Sequence, residues 1–273
     1  SDSVCDLTKE QLEKYDIGIV PLPIIKNDVT YKDGVDIMPE DIFAYVESGK
    51  GVCHTSAINV ADYQEAFGRF VDTYDAIVHI TLSSGISSCY QNAVIAAADF
   101  KNVYIVDSLN LSTGCGHLVL DAALMAEQGM SAEEIVKRLE ELKPKVEASF
   151  VIDSLLYLWK GGRCSGVAAL GANVLKLKPC IEVKNGKMEV GKKYRGNFEK
   201  VIIQYVTDRL KDRDDIDYKR IFVTHPIVPL EIVDNVVKAV KSLGPFEEVI
   251  VTRAGGTIST HCGPVCLGVL FYR

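Results

Sequence analysis

Ala76-Ile77-Val78-His79-Ile80-Thr81-Leu82-Ser83-Ser84-Gly85-Ile86-Ser87-Ser88-Cys89-Tyr90-Gln91-Asn92-Ala93-Val94-Ile95-Ala96-Ala97-Ala98 carries no Asp, Glu, Lys or Arg. It opens as a near-continuous apolar run in which Ile77, Val78, Ile80 and Thr81 are β-branched, the pattern of a buried strand. A serine- and glycine-rich turn follows. Beyond it Ile86, Tyr90, Ala93, Val94 and Ala97 share one face at helical spacing. Strand, polar loop and helix in that order are the repeating unit of an α/β fold. The same stretch fails as a membrane span, because Ser83, Ser84, Ser87, Ser88, Gln91 and Asn92 interrupt what must be about 20 predominantly apolar residues. A second charge-free stretch, Ala254 to Tyr272, fails for the same reason, broken by Gly, Thr, Ser and Pro.

Outward from that unit the alternation continues in both directions. Upstream, Gly18 to Ile25 is apolar, with Pro21 and Pro23 confining it to an edge or irregular strand. Asn27-Asp28 reads as a turn before Val29 to Tyr31. Pro39 opens a helix to about Glu47, and Val60 to Val71 has helical spacing. Downstream come a strand at Val103 to Val106 and a helix at Gly116 to Glu127. Ser131 and Glu134 then form a capping box for a helix ending near Pro144. The second half brings a strand at Ser149 to Ile152 and short helices at Ser154 to Trp159 and Gly166 to Leu175. Asn185-Gly186 suits a type I′ hairpin between Cys180 to Val183 and Met188 to Val190. Helices at Phe198 to Leu210 and Leu230 to Leu243 alternate with strands at Ile221 to Thr224, Val249 to Thr252 and Cys266 to Tyr272. This order predicts a largely parallel sheet. The 273 residues suit two α/β domains, 1–147 and 148–273, with the last strand free to return toward their interface. Asp2-Ser3 resembles Asp107-Ser108 and Asp153-Ser154, which end apolar runs, so it reads as the end of a strand begun before residue 1.

Composition narrows the function. Lys plus Arg number 30 and Asp plus Glu 37, a formal charge of −7. So acidic a chain lacks the broad basic face that nucleic acid demands, which disfavours a DNA-binding regulator. The eight cysteines form no CxxC pair, and the expectation is free, mostly buried thiols in a reducing cytoplasm. Cys262, Cys266 and the adjacent His261 do not make a four-ligand metal set. No secretory leader pattern is expected.

Three polar loops fall where α/β sheets bind ligands, at strand carboxyl ends. Leu82 to Ser88 places Ser87 and Ser88 at a helix N-terminus, where free N–H groups and hydroxyls suit an anion; helix capping explains the same serines. His54-Thr55-Ser56-Ala57-Ile58-Asn59 is ambiguous in the same way. Gly255 to Pro264 reads as a glycine-rich loop in which His261 can orient a carboxylate or serve as a buried structural histidine. Lys160-Gly161-Gly162-Arg163 is a helix-terminating turn that either presents Arg163 rigidly or leaves it solvated. His79, His117 and His225 read as structural. No GxSxG elbow, Walker A loop or GxGxxG is present. Hydroxyls, amides and a histidine without an acid partner fit holding an anion better than transforming it.

Taken together the motifs resemble the DegV family, which includes the fatty-acid-binding subunits of bacterial fatty acid kinase. The matching pieces are Asp2-Ser3 with Asp6-Leu7, Thr55-Ser56, Leu82-Ser83-Ser84-Gly85-Ile86-Ser87 with Tyr90-Gln91, and Val106-Asp107-Ser108. They continue through Asp153-Ser154-Leu155, Tyr157-Leu158, Lys160-Gly161-Gly162-Arg163 and His261-Cys262-Gly263-Pro264. They occur in family order along essentially the whole chain. Ala57-Ile58 replaces the usual Gln-Pro, Ser88 a Gly, and Val265 a Gly. The resemblance implies two α/β domains with a fatty acid such as palmitate, stearate or oleate buried between them. It implies a carboxylate held by Thr55, Ser56, Ser87 and Ser88, with His261 in the network and no other cofactor. It implies a kinase subunit that phosphorylates the bound acid, with Arg163 as a docking contact. The protein is then a carrier and not an enzyme by itself.

Physics agrees with such a ligand. Burying methylenes contributes about 0.8 kcal/mol each, on the order of 10 kcal/mol for a sixteen-carbon tail before ordering costs. The small uncharged segments Ala93 to Ala98 and Val167 to Leu175 can line an apolar tunnel. The competing reading is a serine-dependent enzyme on a small acyl or phosphorylated substrate, with Ser87 or Ser88 as nucleophile and His261 as base.

Overall fold

The computed structural model describes residues 1–164 and 177–273. The helix expected at Gly166 to Leu175, and the tunnel wall expected at Val167 to Leu175, lie outside the described residues. In chain order the elements of the first half are α1 (Lys9–Lys14), β1 (Pro23–Lys26), β2 (Val29–Lys32), α2 (Pro39–Glu47), β3 (His54–Thr55), α3 (Val60–Gly68), β4 (Ile77–Thr81), α4 (Cys89–Ala97), β5 (Val103–Asp107), α5 (Ser112–Glu127) and α6 (Ala132–Leu142). Then come β6 (Val146–Ile152), α7 (Leu156–Gly161), β7 (Leu177–Lys184), β8 (Lys187–Arg195), α8 (Phe198–Leu210), β9 (Asp217–His225), α9 (Leu230–Leu243), β10 (Glu248–Arg253), α10 (Gly256–Cys262) and β11 (Cys266–Tyr272).

The decisive stretch folds as its pattern dictates. β4 pairs in parallel with β5, from Ile77 opposite Val103 to Thr81 opposite Asp107, and α4 buries Cys89, Ala93, Ala96 and Ala97. Asn27 and Asp28 take left-handed φ values of 51° and 59° in the turn that joins β1 to β2. Ser131 and Glu134 form the expected capping box on α6.

The larger sheet departs from the expected parallel arrangement. Its order is β10-β9-β11-β6-β7-β8, and only β9 and β10 run parallel. β11 returns from the chain's end and inserts antiparallel between β9 and β6. The β7–β8 hairpin, turning at Asn185-Gly186, adds two more antiparallel partners. Element order announces crossovers, but it does not say that the last strand fills the slot between two earlier ones.

Several element boundaries differ from expectation, two of them for a visible local reason. α5 begins at Ser112, four residues early, because Gly114 and Cys115 N–H already bond the Leu111 carbonyl. α7 begins at Leu156, after Ser154 Oγ accepts the Leu156 N–H at 3.3 Å, and ends on Gly162 at φ 65°. One hydrophobic core joins elements from both halves of the chain, with Leu22, Tyr63, Phe67 and Leu82 packed together with Phe150, Ile152, Ile181 and Met188. A second is built from β9, β11, α8 and α9 around Tyr205, Val223, Val236 and Phe271. All eight cysteines are buried, and none forms a disulfide among the described residues. Among the described residues no helix is long and apolar enough to cross a membrane.

Candidate functional site

The segment expected to be a glycine-rich loop at 255–264 is instead the seven-residue helix α10. Thr257, Ile258 and Thr260 disfavour helix, and Gly255 offers no side-chain cap. The missing cap comes from far away. Asp33 Oδ1 accepts the Gly256 N–H at 2.8 Å and Oδ2 accepts the Thr257 N–H at 3.0 Å. Asp6 Oδ1 accepts the Gly255 N–H at 2.8 Å. Ser3 Oγ donates to Asp33 Oδ2 at 3.0 Å, and Ser112 Oγ to Asp6 at 2.5 Å. Two buried carboxylates thus sit on the positive end of α10. Burial is the main cause that lifts the Asp6 carboxyl to about 7; the Asp33 charge adds, against the Ser112 and Gly255 hydrogen bonds.

Asp2 performs a parallel task on β4. Its Oδ1 receives Tyr63 Oη at 2.7 Å and faces His79 Nε2 at 2.9 Å, while Oδ2 accepts the Leu82 N–H at 2.9 Å. The position read as a strand end is a single bridge to Val20 followed by a short 3-10 turn at Ser3–Cys5.

The serine loop after β4 is fixed from two sides. Asp107 Oδ1 accepts the Ser84 N–H at 3.1 Å. Ser83 Oγ donates to the Gly186 carbonyl at 2.7 Å, so the tip of the β7–β8 hairpin rests on this loop. A Cβ on Gly85 would stand 2.5 Å from that same carbonyl oxygen, which explains glycine at this position.

These supports bring one cavity together. Its lining combines polar residues, Thr55, Ser56, Ser87, Thr257, His261 and Arg163, with apolar ones, Leu22, Leu82, Ile86, Leu111, Met188 and Ile258. The space outside protein atoms amounts to about 540 Å³, part of it open to solvent. Thr55 Oγ1 lies 2.8 Å from His261 Nε2. Asn59, not Thr55 or Ser56, caps α3, through the Asp62 N–H at 2.9 Å. Ser56 is exposed at the cavity edge. Ser87 Oγ accepts the Cys89 N–H at 3.3 Å and contacts Cys89 Sγ at 3.2 Å. Ser88 occupies the N-cap of α4, is exposed, makes no side-chain capping bond, and does not line the cavity.

His261 is held neutral. Burial first, then the Arg163 and His54 charges, push its pKa down to about 4. Its Nδ1 is buried without a hydrogen-bond partner among the described residues. A Cβ on Gly161 would lie 2.1 Å from that Nδ1, so the first glycine of the Gly-Gly-Arg turn makes room for the imidazole. Arg163 donates to the Gly161 carbonyl at 2.7 Å and reaches the cavity while remaining exposed. The expectation of neutral donors alone therefore gains a cation at the rim. Among the described residues His261 has no carboxylate partner and no hydrogen bond to Ser87, so the Ser–His pair required by the enzyme reading is not formed.

Sequence reasoning missed Thr257, Asp6 and Asp33. Asp6 was visible only as part of a motif, and nothing local marks Asp33 as the cap of a helix more than two hundred residues away. Among the described residues no cluster of His, Cys, Asp and Glu is suited to a metal ion.

Comparison with known proteins agrees with this architecture. A family model described as an uncharacterised protein of the DegV family matches residues 1–273. A DegV domain-containing protein of Caldanaerobacter subterraneus is 34% identical over 274 residues, covering 99% of this chain and 96% of the relative. Among solved structures, a DegV lipid binding protein from Thermotoga maritima superposes with a TM-score of 0.87 at 28% identity, over 99% of this chain and 96% of that one. A DegV family protein from Thermus thermophilus, described by its fatty acid binding, gives 0.88 at 28% identity, over 99% and 97%.

Proposed function

The chain belongs to the DegV family, and from that premise we propose that it is a cytoplasmic carrier of one long-chain fatty acid. The observation that carries the reading is the mixed lining of a single cavity, which brings hydroxyls and a neutral imidazole together with apolar side chains. An ionised head group cannot be buried unpaired. Thr55, Ser56 and Ser87 supply hydroxyl donors, and His261 fixes the Thr55 hydroxyl. The acyl chain follows the Leu82, Ile86, Leu111 and Met188 side. Ser88 can join this set only by turning away from its present exposed place. The lipid binding described for the Thermotoga maritima and Thermus thermophilus relatives supports the assignment. The two-domain reading, 1–147 and 148–273, belongs to the same proposal, with the ligand between the parts.

The finer proposal is that the carrier presents the acid's carboxylate to a fatty acid kinase subunit, which makes the acyl phosphate. Arg163, exposed at the cavity rim, is the docking contact. Two measurements test these steps. Organic extraction and mass spectrometry of purified protein should return palmitate, stearate, oleate or a close relative; protein that carries no lipid and takes up neither oleate nor palmitate defeats the carrier reading. Arg163→Ala should lower phosphorylation by the kinase while leaving oleate affinity within about twofold. A matched loss of affinity instead assigns the guanidinium to the carboxylate.

A further inference from the structure

The cavity wall holds a hydroxyl that the protein itself leaves unused. Thr257 is 4% exposed, and its Oγ1 has no hydrogen-bond partner among the described residues. Its backbone N–H is occupied by Asp33, and the residue is among those that line the cavity, with the hydroxyl oxygen itself buried. Thr260 on the same helix shows the usual outlet, donating to the Gly256 carbonyl four residues back at 2.8 Å. Thr257 lacks that outlet, because the residue four back is Arg253, which ends β10 before the helix begins. A buried hydroxyl without a partner is uncommon and costly, whereas valine would fill the same volume without that cost.

Position decides what the hydroxyl meets. Thr257 and His261 are four apart on α10, so their side chains stand one above the other, with Cβ atoms about 5–6 Å apart. Both line the cavity beside Thr55, Ser56 and Ser87. A carboxylate lying across this face of α10 reaches both residues. We propose that Thr257 Oγ1–H donates a hydrogen bond to the carboxylate of the bound acid, which makes Thr257 a ligand-binding residue alongside Thr55 and Ser87. The inference rests on the fatty acid reading above and adds a contact to it.

The test titrates wild type, Thr257→Val and Thr257→Ser, stripped of lipid, with oleate and with cis-9-octadecene, an eighteen-carbon alkene without a head group. Thr257→Val should weaken oleate binding at least about fivefold, and Thr257→Ser should stay within about twofold of wild type. Lipid-free Thr257→Val should melt no lower than wild type, since it loses an unpartnered hydroxyl, so a purely structural role predicts a different pattern. cis-9-Octadecene, which has no hydrogen-bond acceptor, should bind wild type and Thr257→Val equally. Equal oleate affinity in wild type and Thr257→Val overturns the inference. So does a deficit of the same size with cis-9-octadecene, which would put the contact on the chain and not the head. Wild type that binds no oleate defeats the carrier reading itself, an outcome separate from either of these.

Discussion

Two segments bring residues to the cavity, the serine loop ahead of α4 and the helix α10, and they are held in opposite ways. The serine loop is held by several separate contacts: Asp107 on the Ser84 N–H, Ser87 on the Cys89 N–H, and the Gly186 carbonyl on the Ser83 hydroxyl. α10 has no usable local cap and is held by Asp33 and Asp6, 223 and 249 residues away. The first arrangement spreads its support over several contacts, among them the Ile86 and Ser87 N–H bonds to the Ser83 carbonyl, so a single change removes only part of it. The second concentrates the placement of Thr257 and His261 in two carboxylates. The difference teaches where the binding wall is vulnerable: at the base of α10, outside the cavity.

The sharpest way to break that contrast is Asp33→Ala. It strands the Gly256 and Thr257 N–H groups and the Ser3 hydroxyl in a buried place. The expected loss is about 3 kcal/mol of stability, with fatty acid binding lost in the fraction that remains folded. Denaturant unfolding and a lipid-binding assay check it; an unaltered midpoint would show that α10 does not depend on its distant cap. Next in size are Thr55→Val and Ser87→Ala, which leave the scaffold intact and remove head-group donors. Each should cost roughly 1–3 kcal/mol of acid binding with little change in melting. Unchanged affinity in both would place the head group elsewhere.

The same contrast explains what could be read in the chain beforehand. β4, α4, α8, α9 and β11 were legible because their signals are local: periodicity, β-branching and turn residues. So was the hairpin at Asn185-Gly186. The grouping of Thr55, Ser87 and His261 was legible only through the motif resemblance, since no spacing rule joins residues 206 apart that meet at 2.8 Å. α10 was misread as a loop because its composition is unfavourable and its stabilising partners are not its neighbours. The sheet was misread as largely parallel because strand order is set by where β11 inserts, which is a property of packing. Thr257 gave no signal, because an orphaned hydroxyl is defined by what surrounds it in space.

Acidity separates the two anchors by sign. Burial lowers the pKa of His117, His225 and His261 to about 4 and also lowers that of His79. The unfolded chain takes up protons as pH falls through about 6.5, while the native state resists until about 4. The histidines' contribution to stability is therefore present above about 6.5 and lost toward 4. Asp6 runs the other way. Its native carboxyl, raised to about 7, keeps a proton that the unfolded chain releases above about 4. That contribution is full at low pH and fades as pH rises through 7. Asp6→Asn should thus gain on wild type between pH 5 and pH 8, measured as the difference in melting temperature. A flat difference would mean that the Asp6 carboxylate is already ionised beneath α10.

The smallest effect is expected where sequence reasoning had placed an equal claim on two adjacent serines. Ser88 holds the N-cap position of α4, yet its hydroxyl accepts no N–H from the helix and faces solvent. Ser88→Ala therefore removes neither a cap nor a cavity donor. Stability should move by no more than about 0.5 kcal/mol, and oleate affinity by less than about twofold. Ser87→Ala, one residue earlier, should lose binding clearly. If the two variants behave alike, the serine loop rearranges around its ligand and Ser88 turns inward. The serine loop would then be the adaptable wall of the cavity, and α10, pinned by Asp33, the rigid one.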